Sequence, residues 1–196
     1  MIQSNRFVAN KALDEHAWLS AREGKITATL IANAHTDRGR AEALTKLRGT
    51  AEPIPDNAYM EFGRRMEPFV SLWLKDQYGV LPNEWLVAHP EHPEFVATPD
   101  GISFWSPTIS EVKTTGKDWG QWSKVPVNYR RQVQWQMYVT GAEQCVFAWL
   151  LREEREGRFM SPWLEPKSVV VDRDFQMINE LAKTGHSLLQ EVKEKQ

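Results

Sequence analysis

The chain has 196 residues, of which 41% are hydrophobic and 26% charged, so we predict a single globular domain over residues 1–196 with a sizeable core. No apolar run is long enough for a transmembrane helix, the first residues lack the apolar core of a signal peptide, and a single cysteine excludes a disulfide framework. The net charge of −2 argues against a protein that coats nucleic acid non-specifically, although it leaves room for one local cationic groove. We therefore expect a cytoplasmic protein with no membrane partner.

The first part of the chain reads as helical. Apolar periodicity predicts helices over 12–22, 29–34, 41–47 and 60–78, with Thr27 as the N-cap of the second. The proline-rich stretch 53–57 predicts a loop, and Pro68 is expected to start or kink the long helix. The apolar stripe of that helix includes Phe62, Phe69 and Leu74, with Glu67 at its edge.

Strand patterns follow in the middle of the chain. We predict strands over 84–87, 95–98, 109–114, 143–151 and 168–171, and helices over 127–140, ended by Gly141, and 174–193. Helices first, a mixed sheet in the middle and a final helix predict an α/β (α+β) architecture.

Two carboxylates and a lysine stand on the predicted strands. Asp100-Gly101 is a hairpin-turn signal, and alternation from 109 to 114 places Glu111 and Lys113 on one face with Val112 on the other. Pairing across the turn would bring Asp100 close to Glu111, at a separation that one divalent cation bridges. Mg²⁺ takes oxygen ligands, polarises a phosphate and lowers the pKa of a bound water, and a nearby lysine orients or deprotonates that water. The pattern is typical of metal-dependent phosphodiester cleavage, yet an ordinary exposed hairpin with scattered charges would show it too.

Three further features suggest parts of the same site. Glu67 reads either as a solvated edge residue or as a third acidic ligand that points toward the hairpin. Arg22 beside Thr29, in the first turn of a new helix, suggests an anion site, although a cap and a surface arginine would look alike.

Polar side chains also share one face of the helix over 127–140. Tyr129, Gln132 and Gln136 are spaced as neighbours on a helix surface, and glutamine is an unusual choice for a core face. Such amides could hold an attacking water or a phosphate oxygen.

The order of these motifs resembles the λ-exonuclease (YqaJ-type viral recombinase) branch of the PD-(D/E)XK nucleases. The resemblance spans roughly residues 18–150, and its blocks lie at 18–29 (WLSAREGKITAT), 62–67 (FGRRME), 98–101 (TPDG), 111–113 (EVK) and 129–140. Five blocks in the family's order are far more specific than an aspartate followed by Glu-x-Lys. The resemblance implies a restriction-endonuclease-like core, a central mixed sheet flanked by helices.

The resemblance also implies roles for single residues. Glu67, Asp100, Glu111 and the backbone carbonyl of Val112 would surround one or two Mg²⁺ ions, for which Mn²⁺ could substitute. Lys113 would activate or orient the water, and Tyr129 and Gln132 would line the site. Arg22, Thr29 and Thr27 would hold the 5′-terminal phosphate; the best-known member of the family has serine at the position of Thr29, so the hydroxyl is retained.

The implied activity is a 5′→3′ exonuclease that degrades one strand of linear double-stranded DNA to mononucleotides and leaves 3′ single-stranded tails for phage-type recombination. The implied partners are DNA with 5′-phosphate ends, two further copies in a homotrimeric ring and a single-strand annealing protein, in a phage or prophage setting within a bacterial host. Two alternatives stay open from the residues: a structure-specific or restriction-type endonuclease on the same core, and a non-catalytic DNA-binding protein of this fold.

Overall fold

The computed structural model describes residues 2–52 and 55–194. The helices are α1 (Glu15–Arg22), α2 (Ala28–Asn33), α3 (Asp37–Leu47), α4 (Ala58–Tyr78), α5 (Val127–Thr140) and α6 (Phe175–Lys193). The strands are β1 (Phe7–Asn10), β2 (Leu81–Pro82), β3 (Trp85–Ala88), β4 (Val96–Ala97), β5 (Gly101–Ile102), β6 (Thr108–Thr115), β7 (Gln144–Leu151), β8 (Glu153–Arg155), β9 (Arg158–Met160) and β10 (Lys167–Asp172). Within these ranges, no helix has the length and apolar character that crossing a membrane requires.

Capping side chains decide where the helices begin. Asp14 accepts a hydrogen bond from the N–H of Ala17 (2.9 Å), so α1 begins later than the periodicity from residue 12 predicted. Thr36 caps α3 in the same way, so α3 begins earlier than the predicted residue 41. Thr27 is the N-cap of α2, as predicted. In the predicted loop, residues 55–57 have no regular structure and residues 53 and 54 lie outside the described ones.

A five-stranded mixed sheet forms the centre of the fold, in the order β10-β7-β6-β5-β2. Strands β6 and β7 are parallel, with Glu111 opposite Phe147, and the other pairs are antiparallel. A three-stranded sheet, β1-β3-β4, and a two-stranded hairpin, β8-β9, complete the strands that the structure describes. The predicted α/β architecture with a mixed sheet flanked by helices is confirmed.

Helices cover both faces of the central sheet. On one face, Val112 packs with Val70 and Leu74 of α4. On the other, Ile109 packs with Val133 and Met137 of α5. The alternation predicted for β6 is therefore confirmed, and it turns Glu111 toward α5.

The long helix α4 differs from the prediction in two details. Pro68 lies inside it and does not start it, because Asn57 caps the helix and accepts hydrogen bonds from the N–H groups of Tyr59 and Met60 (3.0 Å each). Phe69, predicted on the buried stripe, is 41% exposed. The sheet packs against the side of α4 that carries Val70 and Leu74, which leaves Phe69 beside the contact.

The turn predicted at Asp100-Gly101 is wrong. Strand β4, before Asp100, pairs with β3 in the smaller sheet, whereas β5 begins at Gly101 and pairs with β6 in the central one. The hairpin loop therefore lies farther along, over 103–107. Gly101 is needed for close packing: a Cβ there would overlap the Ser110 hydroxyl and lie 2.8 Å from Val80 Cγ1. Asp100 thus stands where the chain passes from one sheet to the other.

Candidate active site

One cleft collects most of the predicted site residues. It lies beside the start of α2, between the point where β4 leads into β5 and the side chains of α4 and α5. The predicted residues that line it are Arg22, Thr27, Thr29, Glu67, Asp100 and Gln132. These positions are up to 110 residues apart in sequence, so the fold brings them together. Four predicted residues are not among those that line this cleft: Glu111, Val112, Lys113 and Tyr129. Glu111 is joined to the cleft through its hydrogen bonds with Gln132 and Gln136.

Asp100 is held by β6 and by Asn83, which lies between β2 and β3. Its Oδ2 accepts a hydrogen bond from the backbone N–H of Val112 (2.7 Å), which ties it to β6. Asn83 fixes the backbone around it: the Asn83 side chain donates to the carbonyl of Pro99 (2.9 Å), and its backbone N–H donates to the carbonyl of Asp100 (2.9 Å). Asp100 therefore reaches Glu111's strand as predicted, although by a different route from the predicted turn.

The electrostatics of Asp100 favour a bound cation. Burial, followed by the negative charge of Glu111, raises the pKa of Asp100 well above its usual range, and Lys113 opposes that rise only in part. Two carboxylates that repel each other in a site of low dielectric constant are stabilised by any cation placed between them.

Glu111 is one of the few buried charged residues in the described part of the chain, with 2% of its surface exposed. Gln132 donates to Oε1 (2.6 Å) and Gln136 donates to Oε2 (2.6 Å), both from α5. The ammonium of Lys113 also donates to Oε1. Buried carboxylates are tolerated when their oxygens accept hydrogen bonds, and here both oxygens do.

Lys113 lies next to Glu111 and Tyr129. Its ammonium is 5.1 Å from the centre of the Tyr129 ring, whose other neighbour is Trp119. Burial acts to lower the pKa of Lys113, but the carboxylates of Glu111 and Asp100 outweigh it and raise the pKa. In this arrangement Lys113 is a charged hydrogen-bond donor, suited to orienting a water or a phosphate oxygen.

Glu67 enters the cleft from α4. Burial, followed by the charge of Glu84, raises its pKa, and Glu111 adds to the rise while Lys11 and Lys113 reduce it. The charges of Glu84 and Glu111 therefore act on Glu67, so Glu67 is not a fully solvated edge residue.

Arg22 lines the same cleft and stacks on an aromatic ring. Its guanidinium carbon lies 4.0 Å from the centre of the Trp18 ring, and burial lowers its pKa. Among the described residues it has no carboxylate partner within 4.0 Å. Thr29 is exposed on the same cleft, whereas the Thr27 hydroxyl already accepts a long hydrogen bond from the N–H of Leu30 (3.4 Å). An arginine that is pre-positioned and free of carboxylates suits an anionic ligand.

The cleft also contains residues that the sequence patterns did not identify. Lys11 and Trp18 line it from β1's end and α1, and Thr98 lines it beside Asp100. Within the described part of the chain, the Nε1 of Trp18 and the hydroxyl of Thr98 are buried without hydrogen-bond partners. Thr98 belongs to the motif TPDG and Trp18 opens the block WLSAREGKITAT, so both could have been noticed for that reason, whereas nothing local marks Lys11.

The donor chemistry of the site fits a divalent cation held by two carboxylates. Across residues 2–52 and 55–194, no three His, Cys, Asp or Glu side chains are arranged to hold a metal ion by themselves. Mg²⁺, however, is commonly bound by one or two carboxylates, and water and substrate phosphate oxygens complete its shell. Asp100 and Glu111 provide such a pair, and Glu67 is an additional acid in the cleft wall.

Comparisons with known proteins agree with this fold and motif order. The sequence pattern of the YqaJ-like viral recombinase domain matches residues 17–143, which is more than half of the chain and includes Arg22, Asp100, Glu111 and Lys113. The chain belongs to the YqaJ-like viral recombinase domain family. A search of curated protein sequences found no match.

Solved structures place this YqaJ-like protein among exonuclease folds. An alkaline exonuclease, LHK-Exo from Laribacter hongkongensis, is 25% identical, with a TM-score of 0.72 over 92% of this chain and 93% of that chain. The structure of LHK-Exo in complex with dAMP is similar, at 26% identity and a TM-score of 0.69 over the same shares of the two chains. A phage-related exonuclease from Haemophilus somnus, 12% identical over 88% of this chain and 96% of that chain, shares the fold with a TM-score of 0.68.

Proposed function

We propose that this YqaJ-like protein is a Mg²⁺-dependent 5′→3′ exonuclease that degrades one strand of linear double-stranded DNA. The observation that carries the proposal is the shared cleft: it is lined by Arg22, which has no carboxylate partner among the described residues, and by Asp100, whose side chain is bonded to the strand of Glu111 and Lys113. The guanidinium of Arg22 suits a terminal phosphate, and the nearby carboxylates suit a metal ion that acts on the next phosphodiester. The similarity to LHK-Exo and to a phage-related exonuclease supports exonuclease activity.

Each group then has a task in hydrolysis. Arg22 and Thr29 bind the terminal 5′-phosphate and so set which phosphodiester lies over the acids. Asp100 and Glu111 would hold the cation, and the carbonyl of Val112 and the acid of Glu67 would be further ligands. When bound, Mg²⁺ supplies the positive charge that polarises the scissile phosphate and lowers the pKa of a bound water.

The remaining groups orient the attacking water. Lys113 is held against Glu111 beside the ring of Tyr129, where it donates a hydrogen bond to the water or to a phosphate oxygen. Gln132 lines the cleft and holds Glu111 in place. Cleavage then releases one nucleotide, and the complex of LHK-Exo with dAMP supports a mononucleotide as the product class.

The proposal extends to assembly and setting. From the family resemblance we expect a homotrimeric ring around the DNA, a single-strand annealing protein that receives the 3′ tails, and a phage or prophage setting in a bacterial cytoplasm. A ring would explain how a protein with a net charge of −2 stays on DNA, because topology replaces electrostatic attraction. Light scattering of the purified protein measures the mass of the assembly, and a monomer at working concentration would contradict the ring.

The deciding experiment is a digestion in Mg²⁺ of three DNAs: a linear duplex with 5′-phosphate ends, the same duplex with 5′-hydroxyl ends, and a closed circular plasmid. We expect loss of the 5′-phosphorylated duplex to mononucleotides, slower loss of the 5′-hydroxyl duplex, and an intact circle. Cleavage of the circle would make the protein an endonuclease. No cleavage with either Mg²⁺ or Mn²⁺ would favour a DNA-binding protein that has lost activity.

A further inference from the structure

The side-chain amide of Gln136 contacts Glu111 but has no role in the proposed function. Gln132 and Gln136 are one helical turn apart on α5, and each donates to a different oxygen of Glu111 at 2.6 Å. Oε1 of Glu111 also receives the ammonium of Lys113. Oε2 receives Gln136 alone among the side chains that the structure describes. The direction of Oε2 therefore depends on Gln136.

Gln136 is also unusual in what it leaves unpaired. It is 1% exposed, and its Oε1 is buried without a hydrogen-bond partner among the residues that the structure describes. The same side chain lines the cleft together with Asp100 and Arg22. A buried acceptor with no partner costs free energy, and a donor that arrives in the cleft would remove that cost. Because Nε2 is committed to Glu111, the free Oε1 suits a water in the cleft.

The second buried glutamine of α5 provides a contrast. Gln134 is 2% exposed, donates to the carbonyl of Asp172 (3.0 Å) and accepts from the N–H of Asp174 (2.8 Å). Its amide is satisfied at both ends and joins α5 to the start of α6. Gln134 therefore has a structural role, whereas Gln136 makes its one bond to a carboxylate of the candidate site.

An amide is suited to this position for an electrostatic reason. It satisfies the buried oxygen with a neutral donor, so the negative charge of Glu111 stays available to a cation. A lysine or arginine at the same place would add a second positive charge to that of Lys113 and so repel the cation.

We propose that Gln136 is a positioning residue that fixes Oε2 of Glu111 in the direction from which a divalent cation is bound, and that its free Oε1 accepts a hydrogen bond from a water in the cleft. This inference rests on the proposed function, since it names a further determinant of the same site. Partners of this kind, one step removed from the metal, change metal affinity or activity by about 10- to 100-fold when they are replaced.

The test compares Gln136→Met with Gln134→Met, two substitutions of similar size on the same helix. Mn²⁺ binding is measured by calorimetry on the protein without DNA, and kcat and KM are measured on a 5′-phosphorylated duplex. We expect Gln136→Met to weaken Mn²⁺ binding and to lower kcat, each by about 10-fold or more, with KM for DNA within about twofold. We expect Gln134→Met to lower thermal stability and to leave Mn²⁺ binding within about twofold. Gln136→Asn, which keeps an amide one methylene too short for Oε2, should weaken Mn²⁺ binding in the same direction with less risk to folding.

The outcomes separate the inference from the proposed function. Wild-type Mn²⁺ affinity and kcat in a folded Gln136→Met or Gln136→Asn protein would overturn the inference while the exonuclease proposal stands. If replacing Gln136 weakens Mn²⁺ binding but the wild-type protein cleaves no DNA, the inference is supported and the exonuclease proposal is overturned. A wild-type protein that binds no Mn²⁺ would overturn both.

Discussion

The packing around Gly101 yields a sharp prediction, because a single methyl group there should disturb both stability and activity. In Gly101→Ala the added Cβ would overlap the Ser110 hydroxyl and lie 2.8 Å from Val80 Cγ1 and 3.0 Å from the carbonyl oxygen of Leu81. Ser110 and Val80 are each 1% exposed, so neither has open space into which to move. Strand β5 would have to move away from its neighbours by roughly half an ångström or more.

That displacement has two consequences of known size. Overpacking of a well-filled site costs about 1–3 kcal/mol, which in a protein of this length lowers the melting temperature by about 2–4 °C for each kcal/mol. Asp100 immediately precedes β5 and accepts a 2.7 Å hydrogen bond from the N–H of Val112 in β6. A shift of about 1 Å in a catalytic group costs about 10²-fold in rate. We therefore expect activity to fall by about 10- to 100-fold in protein that is still folded.

The assay is thermal unfolding together with digestion of a 5′-phosphorylated duplex. Gly116→Ala is the matched control, because a Cβ at that exposed position meets no atom within 4 Å. Gly101→Ala/Ser110→Ala removes the overlapping hydroxyl and should recover part of both losses. A Gly101→Ala protein with the melting temperature and rate of Gly116→Ala would refute the reasoning.

Three other predictions concern Lys113 and Arg22 in the site and His89 outside it. Lys113→Ala should reduce cleavage by about 10²- to 10⁴-fold while DNA binding, followed by gel shift, is largely kept; near-normal turnover would overturn the role given to Lys113. Arg22→Ala should remove the preference for 5′-phosphate over 5′-hydroxyl ends, a change of about 10- to 100-fold in relative rate, and a preserved preference would move the phosphate pocket elsewhere. Burial, followed by the charges of His92 and Arg6, lowers the pKa of His89 to about 4. Because the unfolded chain takes up this proton near pH 6.5 and the folded protein does so only near pH 4, stability should fall as the pH drops through that window. The partial exposure of His89 limits the effect to about 1 kcal/mol in the free energy of unfolding. If the free energy of unfolding of His89→Asn depends on pH as steeply as that of the wild-type protein, the assignment to His89 is wrong.

The sequence by itself determined the parts of this protein that depend on local order. Periodicity and capping residues predicted all six described helices and the longer strands, because helix and strand formation is governed by neighbours within a few residues. The alternation of β6 placed Glu111 and Lys113 on one face for the same reason. The order of the five motif blocks indicated the family, which needs no tertiary information.

Tertiary structure alone decided how those parts meet. Asp100-Gly101 has the local signature of a turn, but the chain crosses there between two sheets, because strand pairing with distant partners outweighs a dipeptide preference. The spacing of Gln136 marked it as a candidate and Trp18 opens a motif block, but the sequence did not indicate which groups their side chains contact. These side chains reach the cleft because α5 packs over Glu111 and because Trp18 packs against Leu86 and Val96, and contacts between residues far apart in sequence leave no periodic signal along the chain.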